Sequence, residues 1–152
     1  MRVVLGGTFG PIHDGHRALF RVACRRGSDG VVLGITTDEF ARRTRERVVP
    51  PLETRLRCVV QELSTIHSYS RSITITAIDD TYAIAAEDPD IGGIVVSTET
   101  EGVVEKLNEY RRCNGMDPIE AIVVPVVTAE DGKRISSTRI VSGEVDQHGR
   151  LR

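Results

Sequence analysis

The stretch GGTFGPIHDGH, residues 6–16, decides the fold because it joins a short β-branched segment to an amphipathic one. Residues 2–6 (RVVLG) have the character of a buried strand, and residues 14–26 have the spacing of a helix that ends at Gly27. A strand, a glycine-rich loop and a helix are typical of open parallel sheets, whose ligands bind at the carboxyl ends of the strands. The sequence therefore predicts a ligand site in this loop.

The polar residues of the loop fit a phosphate ligand. His13 and His16 are three residues apart at the predicted helix start, so their rings can converge on one place. The free amides and partial positive charge of a helix N-terminus attract anions, and they also disfavour protonation of histidine. Two neutral imidazoles can donate hydrogen bonds to oxygens that gain charge in a transition state. A zinc site here lacks a third ligand, so no metal site is predicted.

The rest of the chain repeats this alternation. Further strand-like runs occupy residues 30–36, 73–79, 93–97 and 121–127, and apolar stripes of helical spacing begin near Leu52 and Glu101. The alternation predicts a Rossmann-like, doubly wound, five-stranded parallel sheet in a single domain over residues 1–152. Residues 73–79 alternate polar and apolar and should be exposed on one face. The polar tail from about residue 144 is expected to be poorly ordered.

Composition limits the partners. The chain has 20 basic and 22 acidic side chains and a net charge of −2, which disfavours nucleic-acid binding. No apolar run approaches the roughly 20 residues of a membrane helix, and no signal peptide precedes the first strand. Cys24, Cys58 and Cys113 are far apart in sequence and are expected to be buried or half-buried thiols in a reducing cytosol. We therefore expect a cytoplasmic protein that binds neither membranes nor nucleic acid.

A second motif, DGKRISSTRI, occupies residues 131–140. Its hydroxyl cluster, Ser136, Ser137 and Thr138, is typical of the N-terminal cap of a short helix. Hydroxyls beside free amides also bind phosphate, and Arg139 would add a charge-assisted contact. Taken alone the motif favours simple capping. Together with the first motif it would complete a site for a triphosphate.

The two motifs together resemble those of the HxGH nucleotidyltransferases. GGTFGPIHDGH is similar to the pattern GTFxxxHxGH of these enzymes, and ISSTRI is similar to ISSTxI. Within the superfamily the chain most resembles archaeal phosphopantetheine adenylyltransferases, on the evidence of GITTDEFARR, IDDTY, IVVSTET and STRIVSGEVDQHG, which begin at residues 34, 78, 94 and 137.

The resemblance implies a reaction in coenzyme A biosynthesis: ATP and 4′-phosphopantetheine give dephospho-CoA and pyrophosphate. Mg²⁺ would accompany ATP rather than occupy a protein cage. Catalysis would come from positioning and charge stabilisation, with no covalent intermediate. The residues carried over are Thr8, His13 and His16 for the reacting phosphates, Ser136, Ser137 and Thr138 for the β- and γ-phosphates, Gly7 and Phe9 for the nucleotide pocket, and Ser97, Glu99 and Thr100 beside adenosine.

Some positions depart from the family pattern. In the family, a lysine after the second strand usually bridges the phosphates. Here Arg42 and Arg43 occupy that region. They could replace the lysine as catalytic and substrate-binding groups, or they could be charges on a solvated helix face. The family's Tyr-Gly-Pro turn reads Tyr82-Ala83-Ile84, and Gly10 replaces an aspartate. Arg55 could contact the substrate phosphate, although a surface salt bridge is favoured.

Two other functions fit the same motifs. One is a nucleotidyltransferase with a different acceptor, such as nicotinamide mononucleotide, FMN or an alcohol phosphate; the scarcity of aromatic residues disfavours FMN. The other is a non-catalytic ATP sensor, which intact histidine and hydroxyl motifs disfavour. A monomer is favoured over an oligomer.

Overall fold

A computed structural model of the chain describes residues 1–66 and 72–152. Within these ranges one sheet has the strand order β3-β2-β1-β4-β5, and every neighbouring pair is parallel. The predicted five-stranded parallel sheet is confirmed. Because the order reverses between β1 and β4, the switch point that favours ligand binding lies there. The strands are β1 Arg2–Gly7, β2 Gly30–Thr36, β3 Ile73–Ile78, β4 Gly93–Ser97 and β5 Glu120–Val124.

Helices cover both faces of the sheet. Residues of α1 and α3 pack in one apolar cluster, and residues of α4 and α5 pack in another. The predicted helix over residues 14–26 is confirmed, and the stripes from Leu52 and Glu101 both lie in helices. The helices are α1 Asp14–Arg26, α2 Asp38–Thr44, α3 Leu52–Ser64, α4 Ala83–Glu87, α5 Val103–Cys113 and α6 Ser137–Val141.

Alternation along the strands explains the two clusters. Val3 and Leu5 of β1 enter the cluster with α1 and α3, whereas Val4 between them enters the cluster with α4 and α5. Every residue of β2 is buried, as expected for a central parallel strand covered on both faces. The edge strand β3 is exposed at Ile73 and Ala77 on one face and at Thr74 on the other, so its exposure reflects its place at the sheet edge and not the expected exposure of one face.

Arg55 of α3 is buried, and the expected surface salt bridge is wrong. The residue is 1% exposed. Its Nη1 donates to the carbonyls of Thr8 (3.0 Å) and Thr36 (2.8 Å), and its Nε donates to the Pro50 carbonyl (2.7 Å). Nη2 pairs with Asp38 at 3.0 Å. The guanidinium thus closes the carboxyl ends of β1 and β2, where buried carbonyls need donors.

Arg111 of α5 is a second buried arginine, and it lies on the other face, beside the segments that lead into β4 and β5. It is 1% exposed and donates to four backbone carbonyls. Those of Ala85 and Asp88, at 2.8 and 2.9 Å, belong to the end of α4, and that of Ile91, at 3.2 Å, precedes β4. A buried arginine therefore fixes the connection from α4 to β4.

Several smaller expectations need correction. The tail after Gly143 is packed: Val145 is fully buried against Ala129 and Ile135, and its backbone pairs with Leu151. An isolated buried valine in a polar segment gave no periodic signal. Of the cysteines, Cys24 is buried but Cys58 and Cys113 are exposed, because both lie on solvent-facing sides of their helices. Across the two described ranges, no helix is long and apolar enough to cross a membrane.

Replacing Arg55 by methionine should destabilise the fold by roughly 3 kcal/mol or more, because several buried carbonyls lose their donor at once. Urea unfolding of the variant measures the effect. The matched control is Arg57→Ala on the same helix, which removes only an exposed pair with Glu53 at 3.4 Å and should cost less than about 0.5 kcal/mol. Equal losses for both variants would contradict the role of Arg55.

Candidate functional site

A cavity of about 500 Å³ opens at the carboxyl ends of β1, β4 and β5, beside the switch point. Both sequence motifs contribute to its walls, and the turn after β4 closes a third side. All the residues expected to bind nucleotide line this cavity: Gly7, Thr8, Phe9, His13, His16, Ser97, Glu99, Ser136, Ser137 and Thr138.

The loop after β1 is tightly folded around Phe9. This residue has a positive φ of 53°, a conformation that side chains other than glycine adopt at a cost and that is concentrated at functional sites. Its ring lies 5.3 Å from the rings of both His16 and Phe20. A side chain at Gly7 would begin 2.9 Å from the Phe9 ring, so glycine is required for this packing.

Thr8 is held as a hydrogen-bond donor to the cavity. Its hydroxyl accepts from the Thr36 hydroxyl at 3.1 Å, and the Thr36 hydroxyl accepts in turn from Arg55 at 3.3 Å. Since Thr8 accepts from the protein, its own proton is available to a ligand in the cavity.

The two histidines form a reciprocal cap at the start of α1. The Nδ1 atom of His13 accepts from the Gly15 amide at 3.0 Å, and the Nδ1 atom of His16 accepts from the His13 amide at 3.2 Å. A ring nitrogen that accepts from an amide carries no proton, so the proton of each neutral ring is on Nε2. The rings stack with centroids 3.8 Å apart, and both line the cavity.

Both rings are neutral at physiological pH. Burial, and next the Arg17 charge, lower the pKa of His13 from its usual 6.5 to about 4. Burial, and next the neighbouring His13, lower the pKa of His16 well below its usual value. The site therefore contains two neutral imidazoles with the proton on Nε2, and burial, not the expected helix N-terminus, is the main cause of their neutrality.

The second motif is tied directly to the first. The Ser136 side chain accepts from the Arg139 amide at 3.2 Å and caps α6, while the Ser137 hydroxyl donates to the Pro11 carbonyl at 2.7 Å. The expected contact of Arg139 with phosphate is wrong. Its guanidinium pairs with Asp131 and Glu144 and does not line the cavity, because these carboxylates hold it on the outer side of α6.

The arginines after β2 are placed differently from the sequence prediction. Arg42 and Arg43 are exposed in the last turn of α2 and do not line the cavity; Arg43 contacts Glu39 at 3.8 Å. Helix α2 ends at Thr44, and the loop that follows turns Arg45 and Arg47 to the cavity instead. Sequence analysis missed these two residues because nothing in the run of arginines marks where the helix stops.

Arg47 is half-buried, and few hydrogen bonds hold its guanidinium. Its Nη1 donates to the Val48 carbonyl at 3.3 Å, and its Nε is the one buried side-chain nitrogen or oxygen without a hydrogen-bond partner in the described parts of the chain. Burial, and then the charges of Arg45 and Arg55, lower its pKa. A cation in this position favours an anionic ligand that supplies the missing acceptors.

The remaining wall contains the turns after β3 and β4. Thr81 and Tyr82 line it, and burial, with a smaller contribution from Asp80, raises the pKa of Tyr82. Glu99 pairs at 3.2 Å with Arg134, a cavity residue that precedes the second motif and was not among the predicted site residues. Its position directly before ISST could have indicated it.

Known proteins share these motifs and this fold. A sequence profile of the family described as cytidylyltransferase-like matches residues 4–143. The chain belongs to this cytidylyltransferase-like family. A phosphopantetheine adenylyltransferase from Methanopyrus kandleri is 42% identical, and the alignment covers 96% of this chain and 91% of that protein. One from Methanosarcina acetivorans is 36% identical over 99% of this chain and 96% of its own.

A solved structure agrees with this assignment. A protein of unknown function from Archaeoglobus fulgidus superposes with a TM-score of 0.70 at 32% identity, covering 82% of this chain and 89% of that one. The resemblance to HxGH nucleotidyltransferases is therefore confirmed. In this member of the cytidylyltransferase-like family, the positive charge at the cavity comes from Arg45, Arg47 and Arg134.

The histidine geometry predicts a pH dependence. Because the unfolded chain binds a proton at His13 near pH 6.5 and the folded chain binds it near 4, this residue favours folding above about pH 6.5, and its contribution is lost as the pH falls towards 4.

Nitrogen NMR should show Nε2-protonated neutral rings for both cavity histidines at pH 7, assigned with His13→Asn and His16→Asn. A doubly protonated ring for either residue at pH 7 would contradict the capping geometry.

Proposed function

We propose that this protein transfers the AMP part of ATP to 4′-phosphopantetheine and releases pyrophosphate, giving dephospho-CoA. The single observation that carries the proposal is that both phosphate motifs line one cavity, joined by the hydrogen bond from Ser137 to Pro11. The names of the relatives from Methanopyrus kandleri and Methanosarcina acetivorans support phosphopantetheine as the acceptor.

Different walls of the cavity would contact different parts of ATP. The triphosphate would lie between the histidine Nε2–H groups at the start of α1 and residues 136–138 of the second motif. Adenosine would lie beside the turn of Ser97–Thr100, next to the β5 end. Mg²⁺ would enter with ATP, held by phosphate oxygens and water, and it would neutralise part of the triphosphate charge.

The reaction proposed is one direct displacement. A phosphate oxygen of the acceptor attacks the α-phosphorus, a new P–O bond forms, and the bond to the β-phosphate oxygen breaks as pyrophosphate leaves with its electron pair. No general base is needed, because a phosphate monoester is already largely deprotonated at neutral pH. The side chains accordingly position the groups and stabilise their charge.

Each side chain of the first motif then has a defined part. The Nε2–H groups of His13 and His16 and the hydroxyl of Thr8 would donate to oxygens around the α-phosphorus. Their geometry is set before the substrate binds, by the reciprocal cap and by the contact of Thr8 with Thr36, so little reorganisation is required during the reaction. We place Arg47, with Arg45, in the charge-bridging role first expected of Arg42 and Arg43.

Purified protein incubated with ATP, Mg²⁺ and 4′-phosphopantetheine should form dephospho-CoA and an equal amount of pyrophosphate. His16→Ala should lower kcat by about 10²- to 10³-fold, the usual loss for one donor to a transition-state oxygen. Nicotinamide mononucleotide, FMN and glycerol 3-phosphate run in parallel as acceptors. Pyrophosphate with one of these alone would replace the proposed acceptor, and ATP binding without turnover on any acceptor would favour the sensor function.

Arg47→Met should lower kcat/KM by about 10- to 100-fold, through loss of a charge-assisted contact to phosphate. Without substrate the same variant should unfold at equal or higher urea concentration, because it removes a half-buried cation whose buried Nε has no hydrogen-bond partner. Arg42→Met is the matched control and should change kcat/KM less than about twofold. A larger loss at Arg42 than at Arg47 would restore the original expectation.

A further inference from the structure

The last part of the chain, residues 144–152, forms a closed turn that we call the tail. Its ends pair through Val145 and Leu151, and the Asp146 carboxylate accepts from the amides of His148 and Arg150, each at 2.9 Å. Val145 is fully buried and packs with Ala129 and Ile135 in a third, small apolar cluster, which anchors the turn. The tail consequently has a fixed shape from which it can hold other residues.

The tail contacts both phosphate motifs. On one side the Gly149 carbonyl accepts from the Glu130 amide at 2.9 Å, just before the second motif. On the other side the Gln147 carbonyl accepts from the Asp14 amide at 3.0 Å, and the Gln147 side chain accepts from Arg17 at 2.6 Å. The start of α1 is thus held from behind by the tail.

Asp14 is an acidic residue within the first phosphate motif, where a negative charge would oppose phosphate binding. It lies between His13 and Gly15, which both line the cavity, yet Asp14 itself does not line it. Burial would raise the pKa of Asp14, but hydrogen bonds from Arg17 and His148 outweigh burial and the pKa is lowered. The carboxylate is therefore ionised, and an ionised carboxylate turned to the cavity would repel a polyphosphate.

Two contacts hold this carboxylate on the outer side of the helix. Arg17 Nη1 donates to Asp14 at 2.8 Å, and His148 Nδ1 lies 3.1 and 3.2 Å from the two carboxylate oxygens. Because an ionised carboxylate only accepts, His148 must donate from Nδ1. Arg17 is itself fixed by Gln147 and by Glu62 at 2.9 Å.

We propose that Gln147 and His148 are positioning residues for phosphate binding: they keep Asp14 and Arg17 in place, so that the Asp14 carboxylate is neutralised and turned away from the cavity. This inference rests on the phosphate-binding role proposed above. It gives the tail a part in the site although no tail residue lines the cavity.

The test is a double-mutant cycle in the full-length protein, with inorganic tripolyphosphate and ATP as probes in calorimetric titrations. His148→Ala should weaken binding of both probes about two- to fivefold, the effect expected when one partly exposed hydrogen bond to the Asp14 carboxylate is lost. The same change in an Asp14→Asn background should have almost no effect, because the charge that His148 controls is gone. The matched control is Arg150→Ala, because Arg150 bonds through its backbone to Asp146 within the tail.

Thermal unfolding of each variant separates this role from a packing role. An equal weakening by His148→Ala with and without Asp14 would reduce the tail to a structural part and overturn the inference. Binding that His148→Ala leaves unchanged, in a wild-type protein that binds both probes, would overturn it as well while leaving the proposed function intact. Wild-type protein that binds neither probe would overturn the phosphate site and this inference together.

Discussion

The buried guanidinium of Arg55 is the interaction on which the site depends most. Parallel strands end with carbonyls that the sheet no longer pairs, and those of Thr8 and Thr36 both accept from this one side chain. The same group donates to the Thr36 hydroxyl, which donates to Thr8. A contact that satisfies the sheet end therefore also leaves the Thr8 proton directed to the ligand. Arg55 therefore contributes both to the stability of the fold and to the orientation of the Thr8 hydroxyl.

On the opposite face of the sheet, a buried arginine also satisfies backbone carbonyls. Arg111 holds carbonyls at the end of α4 and before β4, and α4 carries part of the wall near Tyr82. Each face of the sheet thus fixes one wall through a buried arginine on the helix that covers it. The two differ in their partners: Arg55 also pairs with the Asp38 carboxylate at 3.0 Å, whereas Arg111 donates to four backbone carbonyls.

The sequence predicted the elements that local chemistry controls. The strands, α1 and both motifs follow from β-branched runs, helical spacing and capping residues, and the structure brings those motifs to one cavity. The sequence did not indicate which arginines would face the ligand, because that depends on α2 ending at Thr44 rather than one turn later. Nor could it reveal that Arg55 is buried, since its partners are backbone carbonyls distant in sequence. The tail was misjudged because its order depends on one buried valine, Val145, and on hydrogen bonds to residues distant in sequence, neither of which gives a periodic signal.

The cavity contains two kinds of polar side chain: arginines with a permanent positive charge, and neutral histidines that can donate hydrogen bonds. Arginine remains charged across the physiological range, while the pKa of His13, about 4, keeps that ring neutral well below pH 7. Neither kind of group changes its state near neutrality. The acceptor's phosphate, with a second pKa of about 6, does change its ionisation there, as does the terminal phosphate of ATP. Under the proposed reaction, a fall in rate below neutral pH would come from the phosphates of the substrates and not from the two cavity histidines, because burial and nearby positive charge have lowered the pKa of both rings.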